Sequence, residues 1–435
     1  MPLEDILTPT EASYIATNAY FALKDWMTGK PTLGIETRAN VKNLVLGKGN
    51  DEEGKANTSL KATALASGKL GKIFSAQTGL GVTTGFGYVL QYQHGDRRHV
   101  IIATRGTRPE LGLPDLLTDA RASMTGFGDY GAVHKGFRTT FDTCLASLGD
   151  DSKIVMDADV LHCVGHSLGG AVATLMAAHF AAKGKAVKLY TFGSPRVGAF
   201  GSYAAMQVRI KKENIFRVAH DLDPISLIAP FPYVHLNPHY DDPNNFTLPS
   251  PTGSLFSTAN HDMNRYIRSI RAGSATSTWV AVRGLAKQTD HDNAVLAKWL
   301  LHADNDPGWV QYASAKTLGI LFKLFSHVLR TTSTAVMLGL TAVDLLAEML
   351  LTGLARAGAL AAQVFQLLRH AATWAGIKLS AGAQFTADII RKILDMMLSK
   401  LAQMAAVALT AAQHGLAPMP LIVGGAWALA QSRGL

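Results

Sequence analysis

The residues that point most directly to chemistry are Gly165-His166-Ser167-Leu168-Gly169. A serine hydroxyl is a weak nucleophile at neutral pH and needs a histidine base, which in turn needs an acid to orient it. The setting of this pentapeptide suits such a serine. Val160-Leu161-His162-Cys163-Val164 precedes it as a short buried strand, and Ala171 to Ala182 follows as an apolar helix. In a strand–turn–helix setting, flanking glycines permit the sharp turn and let the helix approach the strand. The serine is then held up at the carboxyl end of the strand.

Partners for Ser167 occur downstream in the order acid, then base. Asp223 lies in Arg217-Val218-Ala219-His220-Asp221-Leu222-Asp223-Pro224-Ile225, just past the end of an expected strand. Pro224 fixes the loop behind it. Asp221 is the alternative acid, and an aspartate that merely caps a loop is the structural alternative. His261 sits in Asn260-His261-Asp262-Met263-Asn264-Arg265-Tyr266, where a long loop meets a new helix. His235, His239, His291 and His302 also follow Asp223 and compete as bases. A developing oxyanion needs preorganised donors. The backbone N–H of Leu168 is one, and the loop at Gly106-Thr107 offers another, with the Thr107 hydroxyl in support. Otherwise Arg105-Gly106-Thr107 is only a turn. This chemistry calls for no metal and no organic cofactor. The two cysteines, Cys144 and Cys163, have no zinc-ligand spacing and read as buried thiols.

Several elements must position these groups. Residues 8–26 read as a helix with a Thr8/Glu11 capping box and Pro9 in its first turn. Residues 47–84, rich in Gly, Lys, Thr and Ser, read as an exposed loop. Residues 87–92 and 99–104 form two strands joined by a hairpin turn at 94–97, and 134–148 is helical. Residues 187–192 and 215–219 are further strands. Residues 225–260 hold six prolines and read as a long loop lining a site. Strands alternating with helices imply an α/β fold with a mainly parallel sheet covered on both faces. The composition changes near residue 305, dividing the chain into 1–305 and an Ala/Leu-rich helical region, 306–435. Within the latter, Ile389, Ile390, Ile393, Leu394, Met397, Leu401 and Met404 share one helical face.

With 48% hydrophobic and 17% charged residues among 435, the chain can bury a large core and is not disordered in bulk. The net charge is +9. From residue 310 onward there are ten Lys/Arg against four Asp/Glu, which favours a membrane surface or an acidic protein as partner. These basic residues are scattered among Leu and Ala, which speaks against nucleic acid. The 306–435 region has three readings: a helical bundle packed on the rest of the chain, helices lying on or in a bilayer, or a platform for a partner protein. Leu401–Ser432 carries no charge and is long enough to span a bilayer, but Gln403, Gln413, His414, Pro418 and Pro420 interrupt it. Met1-Pro2-Leu3-Glu4-Asp5 does not begin a signal peptide, so the expectation is a cytoplasmic protein or one exported without such a signal.

Four segments resemble the fungal class 3 lipase family of α/β-hydrolases. They are Thr104-Arg105-Gly106-Thr107, Gly165-His166-Ser167-Leu168-Gly169-Gly170, Tyr190-Thr191-Phe192-Gly193-Ser194-Pro195-Arg196-Val197-Gly198, and Asp223-Pro224-Ile225 with Tyr233-Val234-His235-Leu236. The resemblance covers about residues 75–270. It implies an α/β-hydrolase domain with Ser167 as nucleophile, Asp223 rather than Asp221 as acid, and His261 rather than His235 as base, since the family's base lies near a following aromatic, here Tyr266. It also implies an oxyanion hole from Thr107 and Leu168, and a lid at residues 108–117. Ile225-Ser226 departs from the family's usual Val-Pro, and Asn260 stands where the family often has Asp. The activity so implied is cleavage of carboxylic esters of lipids, with phospholipase A first. A triacylglycerol lipase, a carboxylesterase and a non-catalytic membrane- or partner-binding module are the alternatives. The join to an apolar tail is also similar to bacterial lipase effectors delivered by type VI secretion, which act on phospholipids and are restrained by an immunity protein.

Overall fold

The computed structural model describes residues 5–20, 22, 68–78, 82–106 and 124–221, parts of 223–287, and scattered positions between 347 and 396. Helix α1 (Pro9–Asn18) precedes strands β1 (Lys69–Thr78), β2 (Val82–His94) and β3 (Arg97–Thr104). Strands β4 (Met124–Gly126) and β5 (Ala132–His134) come next, then helices α2 (Lys135–Leu148) and α3 (Asp151–Met156). Strand β6 (Val160–His166) leads into α4 (Leu168–Ala182) and β7 (Val187–Phe192). After them come β8 (Gly198–Ala199), α5 (Phe200–Ile210), β9 (Ile215–His220), β10 (Tyr233–Val234), β11 (Asn245–Leu248) and α6 (Met263–Arg271).

Seven strands form one sheet in the order β1-β2-β3-β6-β7-β9-β11. The run from β3 to β11 is parallel, and β1 and β2 are antiparallel additions at one edge. A second, four-stranded sheet runs β10-β8-β5-β4. The main sheet has the expected mainly parallel α/β arrangement, with β6 near its middle and Ser167 at the carboxyl end of β6.

Strand β6 is buried along its whole length because both faces of the sheet are covered. Alternation sends Leu161 and Cys163 into a core with Phe137 and Phe141 of α2 and Val172 and Met176 of α4. Val164 points into the opposite core with Ile15 of α1, Tyr190, Phe216, and Tyr266 and Ile267 of α6. Both cysteines are buried free thiols, and burial pushes each above its ordinary value.

Thr8 and Glu11 form the expected capping box at the start of α1. That helix ends at Asn18, and most of the remaining 8–26 span lies outside the described residues. Two loop expectations are corrected. Within 47–84, residues 69–78 form β1 and β2 begins at Val82. Polar composition hid β1 because among its described residues only Phe74 and Ala76 are buried, and shifts in register at Leu70/Ile73 and Phe74/Ser75 break the period of two. Its outer edge is bonded by α2, with Ser75 N donating to Ser147 Oγ (2.8 Å) and Gln77 N to Thr143 Oγ1 (3.0 Å). Within 225–260, Asn245–Leu248 forms β11, whose four residues are all buried against β9. Pro243 and Pro249 on either side make so short a strand look like loop.

The boundary near 305 lies outside the described residues. In the following region Ile390, Ile393 and Leu394, three residues of the expected apolar face, are buried, while Asp388 and Lys392 are exposed. No helix among the described residues is long and apolar enough to cross a membrane.

A Cβ on Gly169 would stand 2.3 Å from the Thr104 carbonyl oxygen, which the backbone cannot yield, whereas one on Gly201 of α5 meets nothing within 4 Å. Gly169→Ala should therefore destabilise the fold by at least about 1–3 kcal/mol. Gly201→Ala should stabilise it by about 0.5–1 kcal/mol. Urea denaturation of the two variants checks this, and equal effects would refute the close helix–strand approach.

Candidate active site

A single residue separates β6 from α4, and that residue is Ser167, with φ 60° and ψ −135°. An L-residue held there costs on the order of 1–3 kcal/mol. The neighbouring glycines make the turn possible: a Cβ on Gly165 would stand 2.3 Å from the Gly169 carbonyl oxygen. Ser167 N donates to the Phe192 carbonyl (3.0 Å), and Thr104 Oγ1 donates to the Gly169 carbonyl (2.7 Å), so β7 and β3 brace the turn from both sides. Leu168 opens α4, so its N–H is one of the four that a helix leaves unbonded at its start.

Asp223 lies just beyond β9 and is completely buried. His261 Nδ1 donates to its carboxylate at 2.8 Å from Oδ2 and 3.0 Å from Oδ1. The Tyr266 hydroxyl donates to Oδ2 (2.6 Å), and Ile225 N donates to Oδ1 (2.8 Å). Burial, then the Asp223 charge, push the Tyr266 hydroxyl well above its ordinary value, so it remains a proton donor. With Nδ1 protonated toward Asp223, a neutral His261 offers Nε2 as a base. Ser167 Oγ and His261 Nε2 are both buried and make no hydrogen bond to the described residues. The surrounding network thus leaves these two atoms uncommitted.

Two further imidazoles hold the loop that carries His261. His166 Nε2 donates to the His261 carbonyl (3.0 Å), and its ring stacks on that of His261 with centroids 4.5 Å apart. His220 Nδ1 donates to the Asn260 carbonyl (2.8 Å). A carbonyl can only accept, so each ring's tautomer is fixed. The remaining Nδ1 of His166 accepts from the Tyr20 hydroxyl (2.7 Å), and Nε2 of His220 accepts from Ser269 Oγ (2.9 Å). The Tyr20 oxygen is also bonded by the backbone N–H of Gly106. Burial, reinforced by the His261 charge, holds His166 well below the ordinary imidazole value, and burial also lowers His220.

Arg105 lies fully buried under this corner. Its Nε donates to the Gly85 carbonyl (2.7 Å), its Nη1 to the Gly106 carbonyl (2.6 Å) and its Nη2 to Thr84 Oγ1 (2.6 Å). A side chain at Gly106 would stand 2.8 Å from Ser167 Cβ, so the segment expected to carry oxyanion donors abuts the nucleophile turn.

The structure thus brings Ser167, Leu168, Asp223 and His261 to one corner of the sheet. Thr107, the residues 108–117, His239, His291 and His302 lie outside the described residues. Asp221 is used elsewhere, accepting from Ser250 N (2.9 Å), and His235 donates from Nε2 to the Ser226 carbonyl (2.8 Å). Tyr20, Arg105, His166 and His220 were not legible as parts of the site, although His166 stands inside the motif itself. No group of three or more metal-binding side chains occurs among the described residues.

Residues 101–232 match the family model described as Lipase (class 3), a span that contains Ser167 and Asp223 and ends before His261. The chain is 29% identical over 174 residues to secreted mono- and diacylglycerol lipase 1 of Fusarium solani, covering 37% of this chain and 49% of that protein. It is 39% identical over 130 residues to secreted mono- and diacylglycerol lipase A of Penicillium cyclopium, covering 25% of this chain and 41% of that protein. The chain therefore spans about half or less of the length of these curated relatives. Among solved structures it is similar to a lipase from Rhizopus microsporus var. chinensis, with 20% identity, a TM-score of 0.33, and coverage of 54% of this chain and 77% of the other.

Two outcomes follow from this geometry. Tyr266→Phe removes one of the donors to Asp223 and should lower kcat about 10-fold with little change in KM, as expected for loss of a charged hydrogen bond. Steady-state kinetics on a soluble ester checks it, and an unchanged kcat would refute the positioning role. The second outcome concerns pH. His166 and His220 stay neutral in the fold but not in the unfolded chain, which binds protons as pH falls through about 6.5. The stability associated with their neutral forms is complete above that pH and is lost as pH falls toward the folded values. Urea unfolding between about pH 7.5 and 5.5, above the carboxylate range, should show a loss of up to about 1 kcal/mol per pH unit for each histidine. A flat profile would contradict it.

Proposed function

From the match of residues 101–232 to the class 3 lipase family model, we propose that this chain is a lipolytic serine hydrolase that cleaves carboxylic esters of glycerolipids through an acyl-enzyme. The observation that carries this reading is the 2.8 Å bond from His261 Nδ1 to Asp223, formed beside the constrained turn at Ser167. Ser167 Oγ attacks the ester carbonyl while His261 Nε2 takes its proton. Asp223 holds the imidazole in the correct tautomer and stabilises its charged form. The N–H of Leu168 and the Thr107 segment receive the oxyanion. The alcohol leaves with the proton from His261, which then activates water to release the fatty acid.

The names of the curated relatives favour mono- and diacylglycerols as substrates. The excess of basic residues from 310 onward supports a second reading, in which the chain works at an anionic lipid surface and cleaves phospholipids as a phospholipase A. Control by an inhibitory protein belongs to that second reading.

Ser167→Ala should abolish both ester hydrolysis and labelling by a fluorophosphonate probe. Asp223→Asn should keep the fold and lower kcat by roughly 10³–10⁴-fold. Activity that survives in the Ser167 variant would sink the assignment. Mass spectrometry of products from mixed mono-, di- and triacylglycerols and phospholipids separates the substrate classes, with the Ser167 variant as control. Co-sedimentation of the full chain with anionic and neutral liposomes tests the surface.

A further inference from the structure

His220 closes β9 in register with Leu248 of β11, so the sheet fixes its position, and it is buried. Each of its polar groups is bonded to the acid segment, the base loop or α6. Its carbonyl accepts from Asp223 N (3.2 Å), which makes 220–223 a tight turn that ends at the acid. Its N–H donates to the Tyr266 hydroxyl (2.9 Å). An N–H can only donate, so the phenol turns its single proton to Asp223 Oδ2 (2.6 Å). The backbone of any residue would supply these two bonds. The side chain adds three contacts. The imidazole lies flat on the Tyr266 ring, with centroids 3.9 Å apart and planes 16° apart. One edge donates from Nδ1 to the Asn260 carbonyl (2.8 Å), and the other accepts at Nε2 from Ser269 Oγ of α6 (2.9 Å).

Histidine combines properties that other side chains divide. Phenylalanine would stack on Tyr266 without bonding, and asparagine would bond Asn260 without stacking. Burial holds His220 below the ordinary imidazole value, outweighing the Asn260 bond and the charges of Asp223 and Asp221, so Nε2 remains an acceptor. Asn260 directly precedes His261, so the carbonyl that His220 holds is one peptide from the base. A base must meet its serine in a reactive geometry, and a misplacement of about 1 Å can cost about 100-fold in rate.

We propose that His220 is a positioning residue for the acid–base pair, fixing the Asn260 carbonyl through Nδ1–H and Tyr266 through its ring and backbone N–H. Asp223 and His261 are thereby registered to the end of β9 rather than to their own loops. His220 acts through Asn260 and Tyr266 and has no role in the proton transfer itself. Its kinetic consequence rests on the hydrolase reading, whereas its geometry is testable without turnover.

Two variants of the full chain separate bonding from packing. His220→Phe keeps the stack and removes both nitrogens, while His220→Asn keeps a donor toward Asn260 and removes the stack. Active sites are counted by fluorophosphonate titration, so any misfolded fraction drops out. In His220→Phe, kcat per site should fall about 10-fold with KM within about 2-fold, and in His220→Asn kcat should stay within about 3-fold of wild type. A residue that served only as packing gives the reverse order. That order, or wild-type kcat in His220→Phe, would overturn the proposal. Nitrogen NMR of the wild-type imidazoles decides even if His220→Phe fails to fold. His220, assigned by loss of its signals in His220→Asn, should carry its proton on Nδ1, and a ring protonated on Nε2 alone would overturn the proposal. A wild-type chain that hydrolyses no ester sinks the hydrolase reading instead. The His261 Nδ1 proton resonance should then still shift in His220→Phe, and an unmoved signal would count against the positioning role.

Discussion

The chain must reverse direction at Ser167 within one residue, and the rest of the active corner follows from that constraint. With φ at 60°, Ser167 is held outside the ordinary basins of an L-residue. The turn survives because α4 lies close on the end of β6 and cannot relax away. Gly165 and Gly169 remove the side chains that would prevent this approach, and the Thr104 hydroxyl ties the Gly169 carbonyl to β3. The same closeness places the N–H at the start of α4 beside the serine. Strain, helix start and strand end are one arrangement, and loosening any of them would move the hydroxyl.

The second organising feature is the use of neutral imidazoles as clamps. The carbonyls of Asn260 and His261 are adjacent, and each accepts from a buried histidine that can donate there in only one tautomer. His261 is thereby held through its backbone by His166 and through its side chain by Asp223. Burial keeps His166 and His220 uncharged beside His261, the ring that is paired with a carboxylate. Tyr20 extends the network from His166 to the Gly106 segment, which joins the base loop to the expected oxyanion loop through the residue before the nucleophile.

Charge behind the site is arranged differently from charge within it. Arg105 spends its three kinds of N–H on carbonyls and a hydroxyl, so a buried cation is fully engaged in fixing a loop. Arg217 is less engaged: its Nη1 donates to Asn245 Oδ1, while its Nε donates to nothing among the described residues.

Local sequence was enough to place the nucleophile turn, the strand before it, the helix after it and the alternation that makes the sheet parallel. Each of these depends on residues adjacent in the chain: the glycines, the apolar run, the small-residue helix. It was not enough to reveal β1 or β11, because an edge strand with one buried face and a four-residue strand between prolines carry little periodic signal. It offered two aspartates and five histidines as acid and base. Only the tertiary structure brought Asp223 and His261 together while committing Asp221 to Ser250 and His235 to Ser226. The clamps at His166, His220 and Tyr20 were invisible for the same reason. A hydrogen bond between residues 40 to 146 positions apart is fixed by how the sheet stacks its strand ends, and spacing along the chain says nothing about it. The sequence by itself determined which serine could be a nucleophile; the packing of the strand ends around it decided which side chains surround it.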